Sequence, residues 1–375
     1  MLSIGINGRS IFRQLTGVQH YAIEISQALC ALQPEDTRFT VFAGREGRSL
    51  PETGMPVSSG FFPADGPVRG ILWEQALLRR MVRKAGVDVL FNPGNVAPLF
   101  PGVTSVVTIH DLAFLLFPGF FSRSFARYYR EAIPRIAARA GAIITDSNST
   151  RDDLLNHYAL QPGKISVVPL GVSPRFRVRP SEEKLREIRK RYGLPARFFL
   201  SISSFEPRKN LRALVKAFRL LSADVLNEYG LVLTGAGGHV FADDGTAAEI
   251  SKLESGNVIT TGYVPADDLI AIYHLAAALV YPSLYEGFGL PVLEAMASST
   301  PVITSDRSAL PEVAGHAAIL IDPEDTEQLT AAMELIATDS GTRNLLVERG
   351  RKRSALYTWE DSAEKTLAVI RSVAD

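Results

Sequence analysis

Short runs of β-branched and aromatic residues alternate, almost from end to end, with longer stretches whose apolar positions recur every three or four residues. The short runs read as buried strands and the longer stretches as amphipathic helices, and their alternation predicts parallel sheets with crossover helices. In the first half the expected strands are Ser3–Asn7, Phe39–Ala43, Val87–Phe91, Ser105–His110, Ala142–Thr145 and Ser166–Pro169. The stretch Val172–Pro180, VSPRFRVRP, is broken by Pro174 and Pro180 and carries no regular period, so it reads as a linker. A second series follows at Phe198–Ser203, Leu231–Thr234, Val258–Thr261, Ala278–Tyr281, Val302–Thr304 and Ala318–Ile321. The pattern gives an α/β protein of two tandem doubly wound, Rossmann-like domains, residues 1–172 and 181–358, joined by a linker at 173–180. A capped amphipathic helix, Trp359–Val373, is expected to pack back on the first domain. Open parallel sheets bind ligands beyond the carboxyl ends of their strands, so two such domains facing across a cleft would set a site between them.

Length agrees with this division, because 375 residues exceed one ordinary core. Hydrophobic residues at 46% and charged residues at 21% exclude a disordered or fibrous chain. The single cysteine, Cys30, excludes an internal disulfide and a multi-cysteine metal site and points to the cytosol. The opening MLSIGINGRS does not read as a secretory signal, and the longest apolar stretch, Leu269–Val280, is short and broken by His274. The net charge of zero divides into 19 Lys+Arg against 13 Asp+Glu in residues 1–177 and 21 against 27 in the remainder. The first half therefore carries +6, which suits an anionic surface as well as a merely solvated face.

The densest chemistry is SLYEGFGLPVLEAMA, Ser283–Ala297, after the strand Ala278–Tyr281 and leading into a helix. Seven residues separate Glu286 from Glu294. Between them Gly287, Phe288, Gly289 and Leu290 form a turn whose backbone N–H groups, with the following helix start, suit a diphosphate. An ordinary loop with two glutamates is the alternative for the pair alone. The whole string is more specific, since Pro282, Ser283, Glu286, Gly287, Phe288, Gly289, Glu294, Ala295, Met296 and Ala297 resemble the hallmark of the family-4 retaining glycosyltransferases of the GT-B fold. That resemblance implies that Glu286 contacts the hydroxyls of the donor sugar and Glu294 holds the nucleotide ribose.

Other positions gain meaning from the same resemblance. In FEPRKNL, Phe205–Leu211, Arg208 and Lys209 place fixed positive charge beside a helix start at Asn210. The family carries a lysine at Lys209 and an arginine five or six residues earlier, where this chain has Ser203 and Ser204, so Arg208 is the expected substitute. His110 and Asp111 end the strand of VVTIHDLAF, and the family places a histidine there close to the donor sugar. In LTGVQHYAIEIS, Gly17 opens a helix and corresponds to the family's glycine loop near the acceptor and the donor phosphates. Gly235 in TGAGG ends a strand in a glycine turn without a dinucleotide fingerprint. Tyr263 and Val264 correspond to the position that receives the base.

The expected function is transfer of a hexose, with retention, from a nucleotide sugar to a glycan or lipid-linked acceptor in surface-polysaccharide assembly. The EPRKN and TIHD strings resemble bacterial mannosyltransferases, which favours GDP-mannose over UDP-glucose. No D-x-D occurs, so neither a metal nor another cofactor is expected. A glycosidase carboxylate pair, a GT-B epimerase or phosphorylase, and a non-catalytic nucleotide-sugar-binding subunit are the rival readings; nothing suggests nucleic acid. In Phe120–Ala140, Arg123, Arg127 and Arg130 recur at helical spacing and so share a face. Such a face suits an anionic membrane or a lipid-linked diphosphate, and peripheral attachment to the inner face of a membrane is the corresponding expectation.

Overall fold

The computed structural model describes residues 1–11, 17–45, 55–60, 62, 66–202, 206–235 and 257–374. Ser204, Ser203, Phe205, Thr16 and residues 236–238 of the glycine turn after Gly235 lie outside the described residues.

Among the described residues, two all-parallel sheets organise the chain. The first contains β1 (Leu2–Asn7), β2 (Thr37–Ala43), β3 (Val57–Ser59), β4 (Val89–Asn92), β5 (Thr104–Thr108), β6 (Ala142–Thr145) and β7 (Ile165–Val167), in the spatial order β3-β2-β1-β4-β5-β6-β7. The second contains β8 (Arg197–Ile202), β9 (Tyr229–Thr234), β10 (Val258–Gly262), β11 (Ala278–Tyr281), β12 (Val302–Ser305) and β13 (Ile319–Ile321), ordered β10-β9-β8-β11-β12-β13. Every residue of β4, β6, β9, β11 and β12 is buried, as expected of strands covered by helices on both faces. Registers are regular: Ile6 of β1 lies beside Val41 of β2 and Phe91 of β4, and Leu279 of β11 lies beside Leu200 of β8.

The twelve expected strands are all present, with ends displaced by one or two residues. β3 was not expected, because three residues of half-polar sequence on a sheet edge show no period. β5 stops at Thr108: Ile109 N–H still bonds to Ile144 O at 2.9 Å, but His110 N–H turns to Asn95 Oδ1 at 2.7 Å. His110 therefore sits just past the strand and not on it. Within the stretch read as a linker, Pro174–Arg177 forms a 3-10 turn that buries Phe176 edge-on to Tyr273.

The chain divides into two compact units. Unit 1 comprises Met1–Leu112, Arg127–Gly171 and Thr358–Asp375, and unit 2 comprises Ala113–Ala126 and Val172–Tyr357. One core face of unit 1 gathers Phe42, Trp73, Leu78, Val82, Val87 and Leu90. In unit 2 the helix Leu211–Arg219 buries Leu211, Leu214, Val215 and Phe218 against Phe199, Leu231 and Met333. The helix Trp359–Arg371 lies in unit 1, capped by Thr358 Oγ1, which accepts from Asp361 N–H. Its Ser362 hydroxyl donates to Pro169 O at 2.6 Å, and Trp359 packs against Tyr21. The approach is close enough that a Cβ on Gly171 would lie 2.2 Å from Trp359 N. Among the described residues no helix is long and apolar enough to cross a membrane.

Candidate functional site

In the second sheet the chain runs from β8 outward through β9 and β10, then returns to start β11 on the other side of β8. Strand order reverses between β8 and β11, and ligands of doubly wound sheets bind at the carboxyl ends beside that reversal. Both dense motifs fall there: Glu206–Asn210 comes after β8, and Ser283–Gly289 after β11.

These loops form a buried charge cluster. Lys209 Nζ donates to Glu286 Oε1 at 2.7 Å and to the Tyr281 hydroxyl at 2.7 Å. The Arg208 guanidinium donates through Nη1 to Glu286 Oε2 at 2.9 Å and to Tyr285 O at 3.0 Å, and through Nε to Glu206 Oε2 at 2.7 Å. Glu206, Lys209 and Glu286 are all buried. Burial pushes the Glu286 carboxyl up, but Arg208 and Lys209 overcome that and hold it down at about 2. Two cations thus face two carboxylates. Each ion is hydrogen-bonded, the condition under which buried charge is tolerated. Backbone anchors fix the frame: Leu284 N–H donates to Arg208 O at 2.8 Å, and Glu286 N–H donates to Ser308 Oγ at 2.9 Å. Asn210, in the left-handed region at φ 56°, turns the chain into the helix Leu211–Arg219 and donates to Pro323 O.

The glycine turn behaves as its sequence implies. Gly287, Phe288 and Gly289 are buried, and Gly289 takes φ 103° immediately before the helix Leu290–Ala297. Any Cβ there would fall 2.6 Å from Leu310 Cδ2, so the position demands glycine. Glu294 lies one turn into that helix, buried, accepting from the Tyr273 hydroxyl at 2.7 Å. Burial and the Glu294 charge push the Tyr273 phenol well up, so it serves as a donor. Gly235, at φ 139°, ends β9 with its N–H on Gly262 O. Beyond β10, Tyr263 is 57% exposed, whereas Val264 is buried.

Unit 1 carries a second polar cluster. His110 Nδ1 lies 2.6 Å from Asp146 Oδ2, and both side chains are buried. The Tyr21 ring meets the imidazole edge-on at 4.7 Å, while Asp111 is only half-buried. Gly17 opens the helix Gly17–Ala31 with open space around its Cα. At the carboxyl ends of β1 and β4, where the first sheet reverses, Asn7 donates to Glu74 at 2.8 Å and to Asn92 at 3.1 Å. Arg9 Nη1 pairs with the other oxygen of Glu74 at 2.5 Å. Glu74 is fully buried in a π-helical turn, Trp73–Leu78, a local widening frequent at functional sites.

Sequence reasoning missed Asp146, Tyr273, Tyr281, Glu206 and the Asn7–Arg9–Glu74 set. Asp146 follows an apolar strand, but only the pairing of β5 with β6 brings it to His110. The π turn that turns Glu74 inward leaves no trace in a helical period. Arg123, Arg127 and Arg130 are exposed along the helix Arg123–Arg139, which continues through Pro134. Arg135 instead pairs with Glu131 at 2.7 Å, and Arg139 covers the exposed Phe100 ring.

Residues 185–353 match the family model described as glycosyl transferases group 1, and residues 15–176 match that of glycosyltransferase family 4. The O-antigen chain mannosyltransferase B of Escherichia coli is 31% identical over 264 residues, 70% of this chain and 69% of that protein. A serotype-specific mannosyltransferase of Escherichia coli, WbdA, is 32% identical over 69% of this chain, which spans only 32% of that longer protein. Among solved structures, HepE of Anabaena in complex with UDP-glucose has a TM-score of 0.77 at 16% identity, covering 99% of this chain and 100% of that one, a likeness of fold. With the glycine turn, the two spaced glutamates and both matched regions in place, the chain belongs to the family-4 glycosyltransferases and has their GT-B type of fold, two Rossmann-like domains in tandem.

Proposed function

We propose that this glycosyltransferase moves a mannosyl residue from GDP-mannose, with retention of anomeric configuration and without a metal ion, onto a glycan or lipid-linked acceptor of a surface polysaccharide. The observation that carries this reading is the buried Arg208–Lys209–Glu286 cluster at the sheet reversal of unit 2. The mannosyltransferases among its relatives support the choice of sugar. In the reaction the bond from the anomeric carbon to the diphosphate breaks, and its electron pair leaves with the diphosphate. The acceptor hydroxyl oxygen forms the new bond, and its proton passes to the departing phosphate oxygen. Charge then develops on the diphosphate, where Arg208, Lys209 and the Gly287–Gly289 turn are the stabilisers, in the manner of preorganised oxyanion sites. Glu286 meets the sugar hydroxyls, Glu294 the ribose, and Tyr263 and Val264 the base.

A panel of nucleotide sugars tests this. GDP-mannose at 100 times its dissociation constant should stabilise the protein by about 2.7 kcal/mol. Transfer should persist in chelator and yield the retained anomer. Stabilisation by UDP-glucose alone, an inverted product, or loss of turnover in chelator restored by a divalent ion would each refute the corresponding part. The exposed Arg123, Arg127 and Arg130 support attachment to an anionic membrane surface, with about 1 kcal/mol per basic residue near the charged plane. Sedimentation with anionic vesicles at low salt, abolished by reversing these three charges, is the expected result. Wild-type protein that ignores such vesicles would leave a water-borne acceptor.

A further inference from the structure

We propose that Asp146 is the positioning residue of His110, fixing its imidazole with both ring nitrogens protonated, so that His110 meets its ligand as a fixed cation and not as a base. Adjacent strands create the pair: β5 and β6 run side by side, with Thr108 beside Ile144, and His110 and Asp146 follow their carboxyl ends. Nδ1 faces Asp146 Oδ2 at 2.6 Å, and Nε2 faces Pro93 O at 3.4 Å. A carboxylate and a backbone carbonyl both accept hydrogen bonds and neither supplies a proton. A neutral imidazole has one N–H and satisfies one of them, whereas the imidazolium satisfies both. The ring has little freedom to turn. His110 N–H is held by Asn95 Oδ1 at 2.7 Å, its carbonyl accepts from Thr150 Oγ1 at 3.0 Å, and Tyr21 closes one side.

Charge around the pair favours the same state. Among the described residues, the titratable groups facing the ring are Asp146 after β6, Asp111 next in the chain, and the Tyr21 phenol from the helix Gly17–Ala31. Tyr21 stays neutral, because burial and Asp146 raise its pKa, and its hydroxyl shares a hydrogen bond with Thr108. Burial alone would strip the imidazole of its second proton, but Asp146, together with the Pro93 carbonyl and Asp111, raises the His110 pKa above the ordinary histidine value, while burial, offset only in part by His110, raises the Asp146 pKa as well. Among the described residues Asp146 Oδ1 is buried without a hydrogen-bond partner, so the imidazolium is the group that offsets its charge.

The inference rests on the transferase reading only where it predicts turnover, and the ring itself gives an independent measurement. The full chain, labelled in its histidine rings, is titrated by NMR, with His110→Gln assigning the signal. Wild-type His110 should carry two protons at pH 7, where an ordinary histidine of pKa about 6.5 is mostly neutral. Asp146→Asn, close to isosteric, should move the titration to lower pH, and Asp146→Glu should restore it. In transfer assays, turnover should fall as pH rises through the His110 titration. Asp146→Asn should move that limb down equally, lowering kcat at pH 8 with little change in the donor KM. A merely structural aspartate would leave the limb in place. A singly protonated wild-type ring at pH 7, or a titration unmoved by Asp146→Asn, overturns the proposal. Failure to turn over any nucleotide sugar would instead count against the transferase reading, with the ring titration still decisive here.

Discussion

Replacing Glu286 by glutamine removes one charge and almost no volume from the cluster after β8 and β11. The native carboxylate accepts from Lys209 at 2.7 Å and Arg208 at 2.9 Å. These contacts bring its pKa from 4.5 to about 2 against the effect of burial. At about 1.4 kcal/mol per tenfold change, that difference favours the folded, charged form by about 3 kcal/mol. Breaking a buried pair by removing one partner costs a similar amount, about 3–5 kcal/mol. The folded pKa lies below the unfolded one, so the stabilisation is complete above about pH 4.5 and disappears as pH falls towards 2. Glu286→Gln should therefore be about 3 kcal/mol less stable than wild type at pH 7, and nearly equal to it close to pH 2. Both tryptophans, Trp73 and Trp359, lie in unit 1, so their fluorescence is the wrong probe. Hydrogen exchange in β11 and the helix Leu290–Ala297, followed across pH, reads the affected unit. A difference that stays constant from pH 7 to pH 3, or no difference at all, would refute the assignment of Glu286 as the carboxylate that balances both cations.

Gly289→Ala should lose about 1–3 kcal/mol, from the positive φ and the clash with Leu310, and a melting temperature equal to wild type would contradict that geometry. Tyr273→Phe removes the hydroxyl donated to Glu294 and should weaken guanosine diphosphate binding by about 2 kcal/mol with turnover at saturation largely kept; calorimetry showing unchanged affinity would remove Glu294 from the ribose. Lys209→Ala should lower turnover by about 10²–10³, the scale of one lost charge stabiliser, and near-normal single-turnover rates would place the diphosphate elsewhere.

The fold was legible because fully buried parallel strands are nearly continuous apolar runs, and each is punctuated by turn residues. The site was legible where chemistry is concentrated in one segment, as in Ser283–Ala297 and Pro207–Asn210. It was illegible where function depends on two distant segments meeting. Nothing in ITDSNS marks Asp146 as the partner of His110 until β5 and β6 are known to be neighbours. Tyr273 and Tyr281 read as core aromatics, and they are buried as expected, yet their hydroxyls reach Glu294 and Lys209. The pairing of Arg208 with Glu206 and Glu286 also lay beyond sequence, since charge counts do not say which ions are desolvated together.

The seam between Gly171 and Trp359 bears on the order in which the protein is made. Residues 1–171 leave the ribosome without the helix that covers Tyr21 and bonds to Pro169. That helix is translated only after all of Val172–Tyr357, so the unit begun first is the last to be completed. Domains usually mature from the N-terminal side during synthesis. Here nearly two hundred residues must pass before the first sheet gains its final cover, and closing so long a loop is slow relative to local helix formation. Through that interval the nascent first half lacks the cover that Trp359 gives to Tyr21 in the finished protein.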